Sequence, residues 1–137
     1  MVIGIDFDGT CVSHDFPQIG EDIGAVPVLK ELVEKGHQLV LFTLRGNVLD
    51  DKHPYLPKGN YLDNAVNWFK KNGVELYGIQ TNPTQKFWTN SPKADCQLYI
   101  DDAALGCPLK IDNTISGLPF VDWEKVKTLL QESYDCL

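Results

Sequence analysis

A chain of 137 residues and 15.4 kDa is the size of one domain, and folding at this mass buries roughly two-thirds of the unfolded surface. The 43% hydrophobic and 23% charged fractions are those of an ordinary soluble globular protein and exclude collagen, coiled coil and disorder. With 12 basic against 19 acidic residues the net charge is −7, which leaves no electrostatic footprint for nucleic acid or an anionic membrane.

The apolar start, Met1 to Ile5, stops at Asp6, too soon for a signal-peptide core. No window approaches 18 apolar residues, so no membrane span is expected. Cys11, Cys96, Cys107 and Cys136 are scattered without a C-x-x-C pair. They read as reduced thiols, and the expected location is the cytoplasm.

Val2 to Phe7 is a short β-branched run of the kind a doubly covered central strand needs. Residues 11–25 read as loop. Pro27 at a first helical position opens a helix with Val28, Leu29, Leu32 and Val33 on one face, and Gly36 ends it. Gln38 to Thr43 is a second buried strand. Residues 44–59 form a long polar loop with two prolines and two glycines, a length that points to function.

Asn60 is placed to cap the next helix, whose apolar face is Leu62, Ala65, Val66 and Phe69 and whose end is Gly73. Val74 to Gln80 reads as strand three, 81–95 as a second polar loop and Gln97 to Ile100 as strand four. Trp123, Val126, Leu130 and Tyr134 mark a closing amphipathic helix. The expectation is one α/β domain over residues 1–137, a three-layer αβα sandwich with a mostly parallel central sheet.

In such a sheet, ligands gather beyond the carboxyl ends of the strands. Those ends carry Asp6-Phe7-Asp8-Gly9-Thr10, Thr43-Leu44-Arg45 and Asp101-Asp102. Asp6 and Asp8 are two apart, so regular strand geometry turns them the same way. Carboxylates held together repel unless a cation separates them, and hard oxygen ligands suit Mg²⁺.

Asp6-Phe7-Asp8-Gly9-Thr10 resembles the first signature of the haloacid dehalogenase superfamily, in its phosphatase branch. Leu39-Val40-Leu41-Phe42-Thr43 is similar to the second signature, and Leu98-Tyr99-Ile100-Asp101-Asp102 to the acidic fourth. Lys93 stands for the third, with Lys86 as its competitor in the same loop. The resemblance implies a Rossmann-like core and a phosphatase in which Asp6 attacks phosphorus and forms an aspartyl-phosphate. Asp8 then serves as general acid and base.

The same resemblance implies Mg²⁺ held by Asp6, by the backbone carbonyl of Asp8 and by Asp101, with Asp102 ordering the ion's hydration. It gives Lys93 the task of balancing the charge of Asp6 and the phosphate. Gly9, Thr10, Thr43 and Leu44 would line the phosphate site, with Thr43 giving a hydroxyl and Gly9 admitting backbone N–H groups. Arg45 either holds a second anionic group of the substrate through its fork or is a surface charge.

Asn47 and Asn82 read as substrate-facing or as turn residues, and His14 as an exposed loop residue or a substrate contact. Cys11 reads as a small buried thiol, and Trp68–Phe69 and Phe87–Trp88 as core or loop anchors. Neither 11–25 nor 81–95 has room for a cap domain, so an open site acting on a small-molecule phosphate is expected; a homo-oligomer is left open. The competing readings are a catalytically idle phosphate- and metal-binding module and a receiver-like phospho-acceptor domain, which motif order disfavours.

Overall fold

The computed structural model describes residues 1 to 137. The elements in order are β1 (Val2–Ile5), α1 (Ala25–Glu34), β2 (Gln38–Leu41), α2 (Tyr61–Lys71), β3 (Gly78–Ile79), β4 (Leu98–Ile100), β5 (Leu109–Asp112), β6 (Ser116–Val121) and α3 (Trp123–Glu132). The first four strands form one parallel sheet in the order β3-β2-β1-β4, flanked by the helices. Ile5 pairs with both Leu41 and Ile100, so Asp6, Phe42 and Asp101 leave the sheet at one edge.

Alternation along the strands divides the two faces. Ile3, Ile5, Phe7, Leu39 and Leu41 pack with Leu29 and Leu32 of α1, Phe69 of α2 and Leu130 of α3 in one apolar cluster. Gly4, Asp6 and Phe42 belong to the other face. There a Cβ on Gly4 would lie 2.8 Å from the Tyr99 ring, which also sits 6.1 Å from the ring of Phe42. The Tyr99 hydroxyl donates to the carbonyl of Ala94. The expected third layer is thus present in reduced form: it is the 80–97 segment, with Asn82, Gln85 and Ala94 buried and a single 3₁₀ turn at Gln85–Phe87. Neither this segment nor 11–24 holds a separate folded module, so there is no cap domain.

Several helix boundaries differ from expectation for local reasons. Helix α1 starts at Ala25, so Pro27 lies inside the first turn, where a missing N–H is harmless. Its end is as read: Gly36 at φ 92° donates to Val33 O, and His37 to Leu32 O. Asn60 makes no side-chain cap. Instead Asn47 Oδ1 accepts from the amides of Leu62 and Asp63 at 3.1 and 3.2 Å, so the 44–59 loop caps α2. That loop is closed by Val48 and Gly59, which exchange both backbone hydrogen bonds.

Strand three is far shorter than 74–80, because Val74 closes α2 by donating to Phe69 O and is buried there. Tyr134 lies past α3 and is exposed. The antiparallel hairpin β5–β6 adds a second, two-stranded sheet to the elements that the sequence pattern indicates. Phe87 and Trp88 are exposed, not anchors, whereas Phe69 is buried. No helix is long and apolar enough to cross a membrane.

Candidate functional site

After Ile5 the chain leaves the sheet in a tight turn. Asp6 N–H still donates to Ile100 O, but the Phe7 carbonyl then accepts from Thr10 and Cys11 at 3.1 and 2.8 Å. Gly9 sits at φ 80°, and a Cβ there would collide with the His14 ring and lie 2.6 Å from Asp102 Oδ2. Glycine is therefore required both by conformation and by space. The turn is held from behind: Val121 N–H donates to Gly9 O at 3.0 Å, and the Trp123 indole to Thr10 O at 2.7 Å.

Asp6, Asp101 and Asp102 each present a carboxylate oxygen within 4.8 Å of the others. Thr10 Oγ donates to Asp6 Oδ2 at 2.7 Å and accepts from the amide of Asp102 at 3.0 Å. Asp101 accepts from Ala103 N–H at 2.8 Å, and His14 Nε2 lies 2.8 Å from Asp102 Oδ2. Burial pushes the Asp6 carboxyl up to about 8; the Thr10 hydroxyl opposes this, and the charge of Asp101 adds to it. Ions of Mg²⁺ size place opposite ligands about 4.2 Å apart. Three clustered carboxylates make an all-oxygen donor set of the chemistry that suits a hard divalent cation.

Asp8 is not in this cluster. β1 ends at Ile5, so the alternation that was to turn Asp6 and Asp8 the same way is lost in the turn. The Asp8 carboxylate instead meets Arg45 in a two-pronged pair, Nε to Oδ2 and Nη2 to Oδ1, both 2.8 Å. Its backbone carbonyl accepts no hydrogen bond within the protein.

Arg45 is buried. Its other N–H groups go to the carbonyls of Gln18 at 2.8 Å, Tyr61 at 3.1 Å and Pro17 at 3.4 Å. The expectation of a substrate contact or a surface charge is corrected here: no N–H of the guanidinium remains for a ligand.

Thr10 is also committed, its hydroxyl to the carboxylates and its amide to Phe7 O; the Gly9 amide donates to Val12 O. The Thr10 hydroxyl and the Thr10 and Gly9 amides are thus already engaged within the protein. The amides of Asp8 and Leu44 donate to no group of the protein, and the Leu44 side chain is fully exposed. The Thr43 hydroxyl accepts from Arg45 N–H at 3.1 Å and keeps its own proton. Gln80, which sequence reasoning passed over as a strand-end polar residue, fixes this corner: it accepts from Thr43 N–H at 2.9 Å and donates to Thr43 O at 2.7 Å.

Lys93 lines a cavity of about 330 Å³ together with Asp6, Asp101, Phe42 and Tyr99. Lys86 does not; it lies over the Phe87 ring. Asn82 is a buried turn residue that accepts from Thr84 and donates to Asp95 O. Cys11 is buried and donates to Asp6 O, and burial pushes its thiol well above the usual range.

The fold and the site together define a parallel α/β domain with an acidic cluster at the carboxyl edge of its sheet. No protein-family model matches the sequence, and no curated protein does. Among solved structures, a conserved protein coded by a locus of Bacteroides thetaiotaomicron is 32% identical, with a TM-score of 0.72 over 97% of this chain and 91% of that one. The chain belongs to the family of that conserved protein.

Proposed function

We propose that this chain is a Mg²⁺-dependent phosphatase of the haloacid dehalogenase superfamily, acting on a small-molecule phosphate ester. The observation that carries the reading is the convergence of Asp6, Asp101 and Asp102 oxygens within 4.8 Å. Support comes from Lys93 on the wall of the same cavity. Asp6, Asp101 and the Asp8 carbonyl would hold the ion, which supplies positive charge between an anionic nucleophile and an anionic phosphate.

Asp6 attacks phosphorus, the leaving oxygen departs, and water then cleaves the aspartyl-phosphate, releasing phosphate and restoring the carboxylate. Asp8 gives the leaving oxygen its proton and takes one from the attacking water. Each Asp8 oxygen accepts one guanidinium N–H and keeps a second lone pair for that exchange. The Thr43 hydroxyl and the Asp8 and Leu44 amides are the uncommitted donors for phosphoryl oxygens.

The test is turnover of p-nitrophenyl phosphate with excess Mg²⁺. The wild type turns over, and Asp6→Asn and Asp101→Asn lose at least about a hundredfold in kcat. No metal-dependent turnover across a broad panel of phosphate esters would overturn the reading. One observation favours the idle phosphate- and metal-binding module instead: Asp8 is the counterion of a buried arginine. Under that reading Mg²⁺ binds in calorimetry without any turnover.

A further inference from the structure

We propose that Arg45 is a positioning residue for Asp8, a buried clasp that fixes this carboxylate and pins the 13–22 segment against the end of β2. The catalytic part of the proposal rests on the phosphatase reading; the pinning does not. The Arg45 side chain is 1% exposed. Its five N–H groups divide into two for Asp8 and three for the carbonyls of Pro17, Gln18 and Tyr61. The rings of Phe7 and Phe16 each lie 5.0 Å from the guanidinium carbon. Asp8 is its one anionic partner.

The 13–22 segment contains no helix and no extended strand, so individual ties set its position. Its neck is Ser13 and Glu21: Ser13 N–H donates to Glu21 O at 3.0 Å, and Glu21 N–H to Ser13 Oγ at 2.8 Å. Its far end is Pro17 and Gln18, held by Arg45. Between them His14 reaches Asp102. One guanidinium therefore governs Asp8 directly and shapes the segment that meets the acidic cluster. A lysine keeps the charge but has neither the planar fork nor enough donors to span Asp8 and three carbonyls.

The experiment uses Arg45→Met and Arg45→Lys, each alone and combined with Asp8→Asn. The substrate is p-nitrophenyl phosphate, whose leaving group departs without a proton, so residual turnover of Asp8→Asn stays measurable. With Asp8 present, both Arg45 variants lower kcat at least about tenfold, and KM falls with it while kcat/KM stays within about twofold, because hydrolysis of the aspartyl-phosphate is the step that slows. In the Asp8→Asn background they lower kcat no further.

Amide exchange of the metal-free proteins is followed in parallel. Residues 14–20 exchange at least about tenfold faster in both Arg45 variants than in wild type. Equal losses of kcat in the two backgrounds overturn the positioning role alone, and unchanged exchange overturns the pinning. A wild type without turnover overturns the phosphatase reading and the positioning role with it. Arg45→Lys carries the test should Arg45→Met not fold.

Discussion

Replacing Asp6 with asparagine removes a charge that the metal-free fold resists, and the effect is readable as a change in how stability depends on pH. The carboxyl rises from an ordinary 3.8 to about 8, chiefly through burial. Between those values the native protein keeps a proton that the unfolded chain has lost, so stability falls as pH rises. A single such group contributes about 1.4 kcal/mol per pH unit. From about pH 5 to about pH 8 the ceiling is about 4 kcal/mol, and solvent at the open sheet edge reduces it to about 2 kcal/mol.

An asparagine at this position keeps an oxygen for the Thr10 hydroxyl and has nothing to titrate. Urea unfolding in EDTA at intervals across that range shows the wild type losing stability relative to Asp6→Asn, the gap widening towards alkaline pH. Excess Mg²⁺ restores the wild type in proportion to the logarithm of ion concentration above its dissociation constant, and leaves Asp6→Asn unmoved. Parallel pH curves for the two proteins would refute the argument that burial and Asp101 load strain onto this carboxyl.

Asp8→Asn leaves the buried Arg45 without its counterion and costs about 3 kcal/mol or more; Asp8→Asn with Arg45→Met recovers most of that loss in urea titrations. Gly9→Ala costs at least about 2 kcal/mol, and adding His14→Ala does not rescue it fully, because the positive φ remains. Asn47→Ala removes the cap of α2, lowers stability by about 1 kcal/mol, and speeds amide exchange at Leu62 and Asp63.

The parallel sheet was legible because its strands are short apolar runs and its helices carry clear one-sided faces closed by Gly36 and Gly73. Strand three is the exception, two residues of ladder within a seven-residue run. The apolar residues Val74 and Leu76 are drawn in by helix closure and core packing, which a run of hydrophobic letters does not distinguish from a ladder. The β5–β6 hairpin was missed because Leu109, Ile111 and Leu118 are exposed, while Gly117 and Pro119 interrupt the alternation. Asp6, Asp101 and Asp102 were found from strand-end position alone. The surroundings of Arg45 were not, since its partners come from residues 8, 17, 18 and 61, and sequence spacing holds no record of such a meeting.

The backbone bridge between Val48 and Gly59 makes residues 49–56 a graft point. Arg45 and Asn47 on one side and Tyr61 and Leu62 on the other are joined outside the bridge, and one side-chain tie enters it, from the Tyr61 hydroxyl to Pro57 O at 2.6 Å. Doubling the enclosed length costs only about 0.6 kcal/mol in closure entropy. Relatives can therefore diverge in size and chemistry at this outgrowth, and a protein engineer can splice there, while the parts that carry the acidic edge inherit none of the disturbance.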